Sequence, residues 1–175
     1  MACFYIYFIS SLPMLHLGMK PPFSQEHFLE LSRQFIPAED YAILAGLPVA
    51  QGYENFQTKQ ETLQRWVAFD TVLRNELAKL RASRKRMEPT KYLRPGQYSD
   101  ALLAQIALNA SRNPAPPEAE RFLDQQRWNF LEELAFGHYF DLDVLILYAY
   151  KLKILWRWEE VRLADKEALL EKVLT

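Results

Sequence analysis

The chain has 175 residues, half of them hydrophobic and 14% aromatic, with a net charge of −1. This is enough for one compact domain with a sizeable core, and it excludes general disorder. The near-neutral charge excludes a global attraction to nucleic acid or an anionic membrane. The lone cysteine, Cys3, excludes an internal disulfide framework and a thiolate zinc site, and is compatible with a reducing compartment.

The first 17 residues are apolar, but they lack a basic leading region and carry Pro13 inside the run, which argues against a secretory signal. Phe4 to Ser10, FYIYFIS, is dense in aromatic and β-branched residues and predicts a short strand covered on both faces. Ser24 is placed to cap a helix whose Phe28, Leu31 and Phe35 face inward and which Pro37 ends. Ala38 to Leu44 predicts a short helix stopped by Gly46 and Pro48. From Gln57 to about Arg84, Leu63, Trp66, Phe69, Leu73, Leu77 and Leu80 recur at spacings of three and four, which predicts a long amphipathic helix packed inside a bundle. Pro89 and Pro95–Gly96 mark an irregular connection, Ser99 to Ala110 a modest helix, and 113–117 a Pro-rich linker. Glu118 to Ala135 reads as the next helix, carrying Phe122, Trp128, Leu131 and Leu134 and interrupted at Gly137.

Asp141–Glu160 carries two apolar stripes at helical spacing. Leu145, Tyr148, Ala149, Leu152, Leu155 and Trp156 form a broad one, and Leu147, Tyr150, Ile154 and Trp158 form a second on another side. Such a helix requires burial on both sides, by another layer of the chain or by a partner protein. Lys151, Lys153, Arg157, Glu159 and Glu160 argue against a bilayer span. Asp141 is placed to cap the start, Asp143 lies in the first turn, and Arg157 lies near the expected end, the charge order that suits the helix dipole. A final short segment begins at Asp165–Glu167, and its leucine pattern is still running at Thr175, consistent with truncation of a longer helix or domain. The expected fold is mainly α: one compact multi-helix bundle with a short N-terminal β-strand.

The residues do not spell out catalysis. His16, His27 and His138 lack a second ligand type at a familiar metal spacing, so no metal, cofactor or catalytic residue is assigned. Glu132 and Glu133 read as solvated charge, His138 beside Gly137 as a helix-end cap, and Asp141 and Asp143 as a helix start. The five glycines form no phosphate loop, and no G-x-S-x-G elbow occurs. The one strong charge run, Lys79 to Arg94, has seven basic side chains opposed only by Glu88. It suits phosphates or lipid headgroups, a solvated helix end, or docking to an acidic protein surface. The candidate protein-contact residues are Arg84, Lys85, Arg86, Lys91 and Arg94 from this run, with Leu147, Ile154 and Trp158 from the second stripe.

Three stretches, YIYFISSLPML (Tyr5 to Leu15), KPPFSQEHFL (Lys20 to Leu29) and YAYKLKILWRW (Tyr148 to Trp158), together resemble a bacterial family encoded alongside V-type ATPase subunits. That family stands where the C-type subunit of the V/A-type rotary ATPase, the equivalent of the eukaryotic d-type subunit, is expected. The resemblance implies a non-catalytic helical component that couples the central stalk to the membrane rotor. Its partners would be stalk or rotor subunits and its place the cytoplasmic face of the membrane. C-type subunits form a helical funnel from repeated units; this chain is shorter and shows no clear internal repeat, so it would supply part of that architecture or belong to a longer protein. The alternatives are a helical interaction domain unrelated to the ATPase, an enzyme whose site assembles from distant residues, and a nucleic-acid binder using residues 79–94.

Overall fold

The computed structural model describes residues 4–95 and 100–174, and side chains among them through residue 164. Cys3, Gly96, Ser99 and Thr175 lie outside the described residues. The elements, in order, are α1 (Tyr5–Ser11), α2 (Gln25–Phe35), α3 (Ala38–Ala45), a 3₁₀ turn (Ala50–Asn55), α4 (Glu61–Arg84), a second 3₁₀ turn (Pro89–Tyr92), α5 (Ala101–Arg112), α6 (Pro116–Leu134) and α7 (Leu142–Leu174). The chain is mainly helical, and its contacts gather into two compact units.

The first unit comprises Met1–Leu47 and Leu131–Thr175. Its first element corrects the expected strand: Phe4 is the N-cap of α1, and Tyr5 to Ser10 lie within that helix. Tyr5 and Phe8 are buried while Ile6 and Tyr7 are exposed, the three-residue spacing of a helix rather than the alternation of a strand. An isolated strand leaves its backbone N–H and C=O groups without a ladder, whereas a helix satisfies them locally. Ser24 caps α2 as its position predicts, accepting from the His27 N–H at 3.1 Å. Helices α1, α2 and α3 pack on α7. Phe8 stacks on Phe35 at 5.2 Å, and Phe28 stacks on Phe8, Phe23 and Tyr148. Asp141 caps α7 through Oδ1, which accepts from the Val144 N–H at 3.1 Å.

Helix α7 is longer than its two-stripe segment. It runs on through Asp165–Glu167, so no separate final segment begins there, and Arg157 falls inside the helix rather than at its dipole end. Both stripes are buried: Leu145, Ala149, Leu152 and Leu155 on one, Leu147, Tyr150 and Ile154 on the other. No helix among the described residues is long and apolar enough to cross a membrane.

The second unit comprises Pro48–Phe130. Helix α4 packs against α5 and both 3₁₀ turns. Val72 and Leu73 join Leu103, Ile106, Ala107, Ala110 and Leu123 in an apolar core, with Phe69, Leu77 and Leu80 partly buried against it. Phe69 stacks on Phe130 at 3.9 Å, and Trp66 joins them. Asp100 caps α5 through the N–H groups of Leu102 and Leu103. The expected linker shrinks to Asn113–Ala115, because Pro116 and Pro117 open α6. Proline's fixed φ suits a helix start, where its missing N–H has no partner to lose.

Candidate functional site

The basic stretch is built around the end of α4. The Met87 N–H donates to the Ala82 carbonyl at 3.0 Å and the Arg86 N–H to the Ser83 carbonyl at 3.1 Å, the two bonds of a Schellman stop. Arg86 occupies the left-handed position at φ 54°, where glycine is usual. This turn presents Lys85 and Arg86 to solvent, the second 3₁₀ turn presents Lys91, and Met87 and Tyr92 are exposed beside them.

Arg81 is exposed on α4, and the other three cations of the run bond within the chain or line a cavity. Lys79 pairs with Glu76 at 2.6 Å. The Arg84 guanidinium donates to the Ser111 carbonyl and so closes the last turn of α5. Arg94 is half-buried and lies on the wall of a cavity of about 530 Å³ that Tyr53, Phe56, Gln64, Val67 and Thr71 also line. Its backbone is held by Asn75 of α4: the Arg94 N–H donates to Asn75 Oδ1 at 2.9 Å, and Asn75 Nδ2 donates to the Arg94 carbonyl at 3.0 Å. The structure therefore separates the five predicted cations into an exposed group of Lys85, Arg86 and Lys91, a helix-closing Arg84, and an inward Arg94.

The apolar half of the predicted contact set fares differently. Leu147 and Ile154 are 2% and 8% exposed, and Trp158 is half-buried. Enclosed side chains of this kind have no surface to offer a partner, so the sequence-predicted apolar contact at Leu147 and Ile154 is corrected to core.

Beside the cavity lies a polar network that no local sequence pattern announces. Asp70 of α4 takes Arg74 on Oδ2 at 2.7 Å and Arg127 of α6 on Oδ1 at 2.9 Å, and Arg127 reaches Asp124 at 2.9 Å. Burial alone would raise the Asp70 carboxyl, but the Arg127 and Arg74 guanidiniums outweigh it and hold it below the usual carboxylate range. A carboxylate with each oxygen on a cation is a poor general base, because neither its basicity nor its lone pairs are free. Burial, followed by the charge of Asp70, pushes the Tyr53 hydroxyl well above its ordinary value, so Tyr53 remains neutral.

The first unit holds a second polar group. His138 Nδ1 lies 2.7 Å from Asp141 Oδ2 and 3.9 Å from Asp143 Oδ2, and the three ligand atoms fall within 4.8 Å of one another. Gly137, at φ +89°, turns the chain so that His138 meets the start of α7. Among the described residues these three form a group with the geometry to receive a cation, or Asp141 and Asp143 hold the His138 ring. The signal in the sequence is the spacing His138-x-x-Asp141-x-Asp143 across a glycine turn, which helix capping also explains.

Residues 99–173, spanning α5 to α7, match a family described as a protein of unknown function (DUF2764). No curated protein and no solved structure gives a match.

Proposed function

We propose that the chain is a non-catalytic coupling component of a bacterial V/A-type rotary ATPase, joining central stalk and membrane rotor at the cytoplasmic face. One observation carries this reading: the three stretches that resemble the ATPase-associated family meet in one place. Tyr148 donates through its hydroxyl to the Pro13 carbonyl at 3.0 Å, and Trp156 Nε1 donates to the Phe23 carbonyl at 2.7 Å. Phe28 and Phe23 stack on Tyr148. Residues scattered over the sequence thus form one packing motif in the first unit, which supports inheritance of a fold rather than chance likeness of short strings.

The mechanical parts suit the role. At 1.5 Å per residue the 33 residues of α7 make a rod of about 50 Å, and burial of both stripes stiffens it. The exposed Lys85, Arg86 and Lys91, with Met87 and Tyr92 beside them, give a basic and partly apolar contact for an acidic stalk or rotor surface.

The test is co-purification with the ATPase stalk and rotor. The wild-type chain is expected to associate, and a Lys85→Glu, Arg86→Glu, Lys91→Glu variant is expected to lose most of that association. Arg84 is left in place because it closes α5. Association unchanged by the triple reversal rejects this surface as the contact, and failure of the wild type to associate rejects the coupling role. Association with RNA or DNA that falls steeply with salt would favour nucleic-acid binding instead.

A further inference from the structure

We infer that the cavity of the second unit binds a small carboxylate on an apolar body, with the Arg94 guanidinium as its anchor. The argument begins with an unmet hydrogen bond. Arg94 Nη1 is buried and finds no acceptor among the described residues. An arginine cannot shed its charge to relieve this, as a lysine can, so a buried guanidinium N–H without an acceptor calls for one, and an anionic acceptor forms the stronger bond.

The surroundings hold that demand in place. Asn75 is itself buried and binds both backbone polar groups of Arg94, so the side chain projects from a fixed base. Gln64 of α4 donates through Nε2 to the Thr58 carbonyl at 2.6 Å, tying one wall of the cavity to the helix. At about 530 Å³ the space lies within the range of small-molecule sites, which are mostly apolar with a few fixed polar groups. Phe56, Val67, Val72 and the neutral ring of Tyr53 supply the apolar lining.

Charge selects the class of ligand. Among the described lining residues Arg94 is the cation, and Glu54, exposed to solvent, is the acid. The neighbouring Arg74 and Arg127 are already engaged by Asp70. One guanidinium in a lining that is otherwise mostly neutral matches a single planar negative charge, whereas a phosphate dianion calls for more cationic donors than this lining offers. A carboxylate can take two parallel N–H bonds from the arginine fork while its hydrocarbon part fills the rest of the cavity.

The experiment uses the full chain and four probes: benzoate, hexanoate, benzyl alcohol and inorganic phosphate. Binding is followed by calorimetry and by the arginine Nε–H resonances in NMR spectra. Benzoate or hexanoate is expected to bind saturably and to shift the Arg94 resonance, with benzyl alcohol and phosphate at least tenfold weaker. Arg94→Gln is expected to weaken the carboxylate at least tenfold, and Val67→Trp, which takes up part of the cavity and keeps the arginine, to do the same. Equal binding of benzyl alcohol, tighter binding of phosphate, or no binding of either carboxylate overturns the inference. An unmoved Arg94 resonance in the wild type also overturns it, whether or not the variants fold.

Discussion

The two units are each held together by different chemistry. In the first, aromatic side chains stack on one another, and the polar tips of Tyr148 and Trp156 reach the carbonyls of Pro13 and Phe23 in the irregular segments around α1 and α2. In the second, α4 and α6 are joined by Asp70, Arg127 and Asp124, three charged side chains that are each nearly inaccessible. The first arrangement degrades gradually, since a lost ring-tip bond leaves the stacking in place. The second does not, since the loss of one charge removes a partner from each buried group it touches in a low-dielectric site.

Removing Arg127 is therefore the largest single perturbation we expect. Arg127→Met removes a buried cation from Asp124 and from one oxygen of Asp70 and should destabilise the protein by about 3–5 kcal/mol in urea unfolding. Replacing all three charges together by apolar residues of similar volume should recover most of the loss, because a paired buried charge adds little net stability over good packing. pH gives an independent check. Asp70 is held below its unfolded value of 3.8, so its contribution is fully present above that value and is lost as pH falls through the lower folded value. The wild type should lose this increment of stability in acid, and an Asp70→Asn variant should show a flatter profile below about pH 4. A variant whose acid profile matches the wild type would assign the pairing no energetic weight.

The corresponding cut in the first unit should be shallower. Trp156→Phe removes the 2.7 Å bond to the Phe23 carbonyl while keeping an aromatic ring, and a loss of about 1–2 kcal/mol is expected. The substitutions at 127 and 156 share no partner, so the double variant should show the sum of the single effects within about 0.5 kcal/mol. A loss at Trp156 as large as that at Arg127 would erase the contrast between the units.

How much of this is legible in the sequence follows from how local each signal is. Ser24, Asp141 and the stripes of α4 and α7 act within one or two turns, and the structure forms helices over them, α4 starting later than its spacing predicts and α7 running on beyond Glu160. Phe4 to Ser10 misleads because β-propensity reports a fit to a sheet, and no strand is present among the described residues to receive it. Pro116 and Pro117 resemble linker residues, although proline also opens helices. The sites are harder still. Asp70 and Arg127 are 57 positions apart and Asn75 and Arg94 19 apart, so nothing in the local pattern couples them. Charge alone groups Arg94 with its neighbours, and only the Asn75 clamp distinguishes it from them.

The smallest effect we expect concerns the strained end of α4, and it separates backbone conformation from charge. Arg86 holds a left-handed φ of 54°, which a side chain occupies at a penalty of about 1 kcal/mol that glycine avoids. Its charge lies at the negative end of the α4 dipole and returns about 0.3–0.5 kcal/mol. Arg86→Gly relieves the strain and loses the charge, so a net gain of about 0.5 kcal/mol is expected. Arg86→Ala keeps the strain and loses the charge, so it should be less stable than the wild type by a few tenths, about 0.3 kcal/mol. The difference between the two variants isolates the left-handed penalty, and equal stabilities would show that the turn relaxes when the arginine is removed. If the basic surface is the contact with the ATPase, Arg86→Gly should also weaken co-purification while raising the melting temperature. Strain kept at a position where glycine would be more stable is then explained by what the arginine touches in the assembly.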